Sequence, residues 1–526
     1  MHPQPEPAGR LSVAFIVCLA ALILPLSFSG GAVATPAIGR DLGGSATALT
    51  WITNAFMLTF GSLLMTAGAL ADQFGRKRIF IGGVALFVLF SGALSFAPSL
   101  LVVDLLRAGQ GVGAAAALAG GSAAMAQEFE GRARIRAFSM LGTTFGIGLA
   151  FGPIVAGVLI AQFGWRSIFL TSTLVGAGAL VLGMRRLRET RDPNAAGLDW
   201  PGALSFTGML SLFTFAIIQA PESGWTSPPV LGLFTGAAIL LASFILVETR
   251  VARPMLDLSL FRYPRFVGVQ VLPIATCYSY VVLLILLPLR FIGIEGLSEI
   301  EAGWLMMALS APMVVVPALA AAGTRWLSAG AISALGLLIA AAGLLWLGRI
   351  GPGAPHEAIA PMLLIGLGAG MPWGLMDGLS VTVVPKDRAG MASGIFNTTK
   401  VAGEGVALAI VSAGLALLSS TGLQGLASQA RTASPQHLSE AGLRLATGDL
   451  AQAATLLPEI GRALLVQSYF GAFETLTHAL AAVTILSALI IFWFLSRERS
   501  EDHATGQVAA SAAELEPVAA DCSAQA

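Results

Sequence analysis

Three carboxylates and two cations stand inside stretches of sequence that are otherwise apolar: Asp104, Asp377 and Glu404, with Arg107 and Lys400. On insertion scales a charged side chain at the centre of a membrane span costs about 2.5–3.5 kcal/mol, so such groups face a partner or a water-filled cavity. A buried carboxyl near a cation can also exchange a proton near neutral pH, which makes these five the candidates for proton coupling. Asp104 and Arg107 are one helical turn apart, as are Lys400 and Glu404. Each pair reads either as a self-neutralising ion pair or as a coupling site. Trp373 and Asp377, four residues apart, share a helix face, and an aromatic surface beside a carboxylate suits an organic cation. Met371 and Met376 would add an adaptable lining, and Asn397 completes the substrate-binding candidates with Trp373, Met376 and Asp377.

Other chemistries find little support. The five histidines, at 2, 356, 437, 478 and 503, lie outside the apolar stretches or near their ends, and form neither a metal cluster nor a nucleophile–base constellation. No G-x-x-x-x-G-K-[ST] phosphate loop is present, so a built-in ATP motor is excluded. No enzyme activity, metal or cofactor is expected. Cys18, Cys277 and Cys522 are too scattered for a disulfide framework. A net charge of zero gives no basic face for nucleic acid.

These residues need apolar helices to hold them. The chain is 56% hydrophobic and 11% charged, where soluble proteins carry about 25% charged residues. Lipid is therefore the expected solvent. Stretches of about 20 apolar residues occur fourteen times: 11–35, 48–70, 79–97, 100–125, 137–161, 166–184, 200–220, 229–247, 266–289, 302–322, 328–348, 358–383, 390–418 and 471–495. The first is too long for a signal peptide and reads as an uncleaved helix. With the N-terminus inside, twenty Lys and Arg fall on inner segments and seven, Arg290 among them, on outer ones. That asymmetry predicts both termini in the cytoplasm. Eight of the nine tryptophans fall near span ends, and only Trp373 sits mid-span. Residues 419–470 read as a long outer loop in which Leu438–Leu465 has amphipathic helical spacing, for packing on membrane or protein. The tail 500–526 reads as disordered. Arg136-Ala137 before Thr143-Thr144, and Arg388-Ala389 before Thr398-Thr399, mark a weak internal repeat.

Several motifs carry a resemblance. Gly68-Ala-Leu-Ala-Asp72-Gln-Phe-Gly75-Arg76-Lys77-Arg78 is similar to the G-x-x-x-D-x-x-G-R-K signature of the major facilitator superfamily. Its glycines permit a tight turn between spans, and Asp72 is placed to face a helix N-terminus or an arginine across the bundle, as a gate latch. Arg107-Ala-Gly-Gln110-Gly111-Val-Gly113 resembles the family's R-x-x-Q-G-x-G element. Gly148-Leu-Ala-Phe-Gly152-Pro153-Ile-Val-Ala-Gly157 resembles an element associated with antiporters, in which Pro153 favours a kink. Trp165-Arg166, Leu198-Asp199-Trp200-Pro201-Gly202 and Arg253-Pro254-Met255-Leu256-Asp257, with fourteen spans and a long last outer loop, resemble the drug:proton antiporter-2 group.

The resemblance implies an all-α membrane protein of the major facilitator fold: a six-helix bundle over 1–191, two inserted helices over 192–250, and a second bundle over 251–499. It implies proton-coupled export of small amphipathic or cationic compounds from the inner membrane. An uptake symporter, or an exporter of one specific metabolite, is the alternative on the same fold. The implied partners are a small-molecule substrate, protons and membrane lipids; some Gram-negative relatives add a periplasmic adaptor and an outer-membrane channel. One departure matters. Ser27 stands where the group often has an aspartate in the first helix, so either another acid carries the proton, with Asp104, Asp377 and Glu404 available, or the coupling differs. The Gly- and Pro-interrupted run Gly368–Gly378 also points to a mid-depth site. Phe28, Phe56 and Phe60 are possible cavity-lining residues.

Overall fold

The structure is a computed structural model and describes residues 7–129, 131–191, 199–251, 256, 258–384, 389–430 and 435–495. Among them there are helices and turns and no strand. Thirteen helices are long and apolar enough to cross a membrane, and a bent pair makes a fourteenth. The spans are α1 (Pro7–Leu42), α2 (Ala46–Phe74), α3 (Arg76–Leu94), α4 (Leu100–Glu128), α5 (Gly131–Phe163), α6 (Arg166–Arg186), α7 (Trp200–Ser223) and α8 (Pro228–Glu248). Next come α9 (Pro264–Ile294), α10 (Glu299–Gly323) and α11 (Ala329–Gly348), then α12 (Ile359–Thr382) and α13 (Ala389–Ala430). Two short helices follow, α14 (Pro435–Ala446) and α15 (Leu450–Leu456), before the last span, α16 (Arg462–Leu495). The fourteen apolar stretches and the fourteen spans coincide because lipid requires each crossing segment to satisfy its own backbone hydrogen bonds.

Helices α1 to α6 pack among themselves, as do α9 to α13 and α16. The α7–α8 pair lies beside them, with α7 resting on α2 and α13. The halves meet where α2 packs on α13 and α5 on α10. Gly61 makes the first approach possible: a Cβ there would lie 2.6 Å from Ala402 Cα. Helix α5 bends by 41° between its segments Met140–Leu149 and Phe151–Phe163. The bend sits where Pro153 cannot donate to residue 149, the position a missing i→i−4 bond predicts. Six tryptophans (Trp200, Trp225, Trp304, Trp326, Trp346 and Trp493) are exposed, as suits an interfacial ring.

Residues 419–470 are more ordered than a loop. Helix α13 runs on to Ala430, and α14 and α15 bury Leu438, Ala441, Leu445, Leu450 and Ala453 against the protein. Of the two places open to the amphipathic segment, it takes the protein surface. Most of Arg253–Asp257, Arg388 of the repeat, and the tail lie outside the described residues.

Candidate functional site

The Gly68–Arg78 turn joins α2 to α3 through Gly75, whose φ of +115° is strained for any residue with a Cβ. Among the described residues, Asp72 meets neither a helix N-terminus nor an arginine across the bundle. It accepts from Arg76 of its own motif, at 3.1 Å from Nε and 2.9 Å from Nη2. Arg76 also donates to Gln127 at 2.6 Å, tying the turn to α4. The N-terminus of α3 is instead met by Glu189, a residue the motif does not contain: the backbone N–H groups of Lys77 and Arg78 donate to its carboxylate at 3.1 and 3.2 Å. Lys77 Nζ donates to the Met184 carbonyl at 3.0 Å. The sequence signal for Glu189 was only an acid just beyond a span. Replacing Glu189 by alanine removes a charged cap worth about 1 kcal/mol, and is expected to lower the melting temperature of purified protein by one to a few degrees. An unchanged melting curve would refute the capping role.

Two other family motifs act as caps and clasps. Trp165 Nε1 and Arg166 Nη1, opening α6, donate to Asp41 at the end of α1 at 3.0 and 2.7 Å. Asp199 caps α7 by accepting from the Gly202 N–H at 2.9 Å. Glu248, buried at the end of α8, accepts from the Leu256 N–H at 3.0 Å.

In the first bundle the charged centre is Arg107, fully buried. It does not pair with Asp104; no ion pair joins them among the described residues. The side chain turns inward, where Nε donates to the Ile52 carbonyl at 2.8 Å and Nη1 to Ser27 Oγ at 3.1 Å and to Gln110 Oε1. Gln110 is held in turn by Ser91 at 2.7 Å. The guanidinium lies 4.4 Å from the Phe56 ring centre. On its other side Gly31 leaves room: a Cβ there would be 3.1 Å from Nη2. Ser27, the residue that departs from the expected acid, is thus the direct partner of the arginine. Phe28, Phe56 and Phe60 are all core residues rather than cavity lining.

The antiporter-like glycines have separate tasks. A Cβ at Gly148 would collide with Pro25, and one at Gly152 with Ser29, so these two set the α1–α5 seam. Gly157 faces the other half of the molecule, against the Glu299 carbonyl at the start of α10. This is the end opposite the Gly68–Arg78 turn, and it is further closed by an Arg40–Glu299 ion pair at 2.7 Å. Arg444 of α14 donates to the Gly44 carbonyl there at 2.9 Å.

In the second bundle, α12 and α13 meet α9 at mid-depth; Lys400 is eleven residues, about 16 Å, along α13. Its ammonium lies 4.5 Å from the centre of the Trp373 ring. Lys400 and Glu404 make no ion pair among the described residues, so the static pair is not formed. The indole also meets Tyr280 edge-on, centroids 6.3 Å apart. Tyr280 belongs to a π-helical turn, Cys277–Val281, a local widening often found at functional sites and not legible in this sequence.

The expected Trp373–Asp377 cation site needs correction. Trp373 is 5% exposed and already holds the Lys400 ammonium, while Asp377 is exposed and turns toward Gly142 of α5. Met376 is fully buried in the core and cannot line a cavity. Met371 packs beside Ala320, Ile332 and Leu375. Gly394, Asn397, Lys400, Gly403 and Glu404 form a continuous exposed or half-buried face of α13, which closes at the buried Ala407 and Leu408. Arg290 also departs from expectation. It is not an outer-loop charge but fully buried, paired to Glu295 at 2.7 Å and enclosed by Phe470 and Phe473.

The arrangement is that of a multi-pass membrane transporter: two packed helical halves, each holding polar groups among its apolar helices. The chain belongs to the Major Facilitator Superfamily, whose family model matches residues 17–408. It is 31% identical over 409 residues to multidrug resistance protein Stp of Mycobacterium tuberculosis strain H37Rv, covering 76% of this chain and 74% of Stp. Cephamycin export protein CmcT of Amycolatopsis lactamdurans is 32% identical over 464 residues, covering 85% of this chain and 92% of that one. Among solved structures, a bacterial homologue of the human lysosomal transporter Spinster aligns with a TM-score of 0.60 at 16% identity, over 94% of this chain and 99% of the other. The human organic anion transporter MFSD10 aligns with a TM-score of 0.57 at 16% identity, over 93% of this chain and all of that one. These two likenesses concern the fold.

Proposed function

We propose that this protein is a secondary exporter that moves small amphipathic molecules outward in exchange for protons, by alternating access between two bundles. The observation that carries the reading is Glu404. It is half-buried at mid-depth on the exposed face of α13, and no hydrogen bond or ion pair engages its carboxylate among the described residues. A carboxylate so placed can bind and release a proton without breaking a fixed structural pair. The drug-resistance and export names of the relatives support the outward direction, as does the antiporter-like element on α5.

In this reading the bundles are 1–191 and 251–499, with 192–250 as the insert. The Gly68–Arg78 turn and its basic run lie at the cytoplasmic side of the inner membrane, with both termini. The end closed by Arg40–Glu299 and Gly157 faces outward. Asp104 and Asp377 are the further proton-site candidates, and small molecules, protons and lipids are the partners. A periplasmic adaptor and outer-membrane channel, which some Gram-negative relatives add, extend the partner set in this reading.

The test is efflux from proteoliposomes under an imposed proton gradient, across a panel of dyes and antibiotics. Wild type should export at least one compound, and a protonophore should stop it. Glu404→Gln should remove most of the proton-linked component, more than Asp104→Asn or Asp377→Asn. Normal export by all three variants would overturn the proposal, and gradient-driven uptake would reverse its direction.

A further inference from the structure

The mid-depth cluster of the second bundle contains a lysine with two alternative partners. Lys400 sits on the Trp373 ring, 4.5 Å from its centre. Glu404 lies one turn further along the same helix, at a spacing where a lysine and a carboxylate can meet, within electrostatic reach of Lys400, yet no ion pair joins the two among the described residues. Open space adjoins both: a Cβ added to Gly403, between them in sequence, would meet nothing within 4 Å. The indole has no other use for its polar edge, since Trp373 Nε1 is buried without a hydrogen-bond partner. The ring, the ammonium and the carboxylate thus form a set in which one cation can occupy either of two sites.

Resting on the export reading above, we propose that the face of Trp373 is the binding surface for an organic cation, and that Lys400 is its resident competitor, drawn off the ring when Glu404 is ionised and returned to it when Glu404 is protonated. With Glu404 ionised, the lysine pairs with the carboxylate and the ring is free for a planar or quaternary cation. With Glu404 neutral, the ammonium loses that partner and takes back the ring. Proton and substrate cation are then mutually exclusive at one site, as exchange requires. No bond is made or broken except that of the proton to the Glu404 carboxylate.

The surroundings leave Glu404 in control. Helix α2, packed against α13 at Gly61 and Met57, carries no charged residue before Asp72, and α7 carries none between residues 200 and 221. Helix α9 brings Cys277, which lies within electrostatic reach of both Lys400 and Glu404. Helix α12 brings Asp377, which is exposed and makes no ion pair with Lys400. Helix α16 brings Glu474 and His478; Glu474 packs near Gly348 at the far end, whereas the α13–α16 contact at Gly414 and Leu476 is ten residues beyond Glu404. Arg444 and Glu440 of α14 cap that same end.

The experiment follows the ring itself in full-length protein in nanodiscs. An ammonium held against an indole alters its emission, so wild type should change tryptophan fluorescence between pH 5.5 and 8.5. The change should vanish in Trp373→Phe, in Lys400→Met and in Glu404→Gln. Equilibrium binding of ethidium supplies the second readout. In wild type it should tighten from low to high pH. At pH 5.5 Lys400→Met should bind roughly tenfold more tightly than wild type, a factor within the range of a cation–π contact. Comparable binding by the two at pH 8.5 would show the variant folded. A pH-dependent emission change that persists in any of the three variants, or is absent from wild type, overturns the proposal. So does a Lys400→Met protein no tighter than wild type at pH 5.5, or a wild type that binds no ethidium at either pH. Export is read separately: proton-linked efflux that survives with these results would retain the exporter and discard the exchange at Trp373.

Discussion

Replacing Arg107 by methionine is expected to abolish the transport proposed above and to lower stability by about 2–5 kcal/mol, the cost of orphaning several buried polar groups together. The side chain is fully buried and bridges three elements: Ser27 on α1, the Ile52 carbonyl on α2, and Gln110 on its own helix α4. Methionine fills part of the volume but leaves the Ile52 carbonyl, Ser27 and Gln110 without their donor. Arg107→Lys is expected to fail nearly as badly, because one ammonium cannot reach the three acceptors that a planar fork serves. The informative companion is Ser27→Asp. Ser27 Oγ is 3.1 Å from Nη1, and Nη2 is buried with no hydrogen-bond partner. A carboxylate at 27 would meet both nitrogens, so Ser27→Asp should raise the melting temperature, while Ser27→Val should lower it. The measurements are thermal unfolding in detergent and efflux in proteoliposomes. A Ser27→Asp protein less stable than Ser27→Val would refute the assigned contact.

Gly157→Leu is the second large effect. A Cβ at 157 already collides with the Glu299 carbonyl, a backbone atom that cannot swing aside, so the added isobutyl group must part α5 from α10. That contact closes the end opposite the basic turn, together with the Arg40–Glu299 pair. Overpacking of this kind costs about 1–3 kcal/mol, and the cost falls only on the state in which that end is shut. The expected result is a folded protein held open there, with efflux reduced to background. Amide exchange should rise in the segments 154–163 and 295–305 and stay unchanged in the Gly68–Arg78 turn. Gly148→Leu separates the two tasks of this motif. Its neighbours are Pro25 and Leu22 of α1, within the same bundle, so it should destabilise the bundle without opening the far end. Unaltered exchange at 154–163 in Gly157→Leu would remove the closure argument.

Local chemistry fixed the spans before any packing was known. Lipid has no hydrogen bonds to offer a backbone, so each crossing declares itself as an apolar run, and all fourteen runs reappear as helices. The Pro153 bend and the turn at Gly75 were equally local, since a missing N–H or a positive φ acts within one turn of chain. Partner choice was not local. Spacing on a helix puts Asp104 within reach of Arg107 and Glu404 within reach of Lys400, but reach is shared with every neighbouring helix. Arg107 found Ser27 and a carbonyl on two other spans, and Lys400 found the Trp373 ring. Asp72 gave up the α3 N-terminus to Glu189, more than one hundred residues away. Nor could periodicity separate Met376, which packs into the core, from Asp377, which is exposed, because the positions of α9, α10, α11 and α13 decide which side of α12 is enclosed. The sequence by itself determined how many times the chain crosses and which ionisable groups it carries into the membrane. The tertiary structure decided what each of those groups touches, because a buried charge takes whichever donor, acceptor or ring the packing brings nearest.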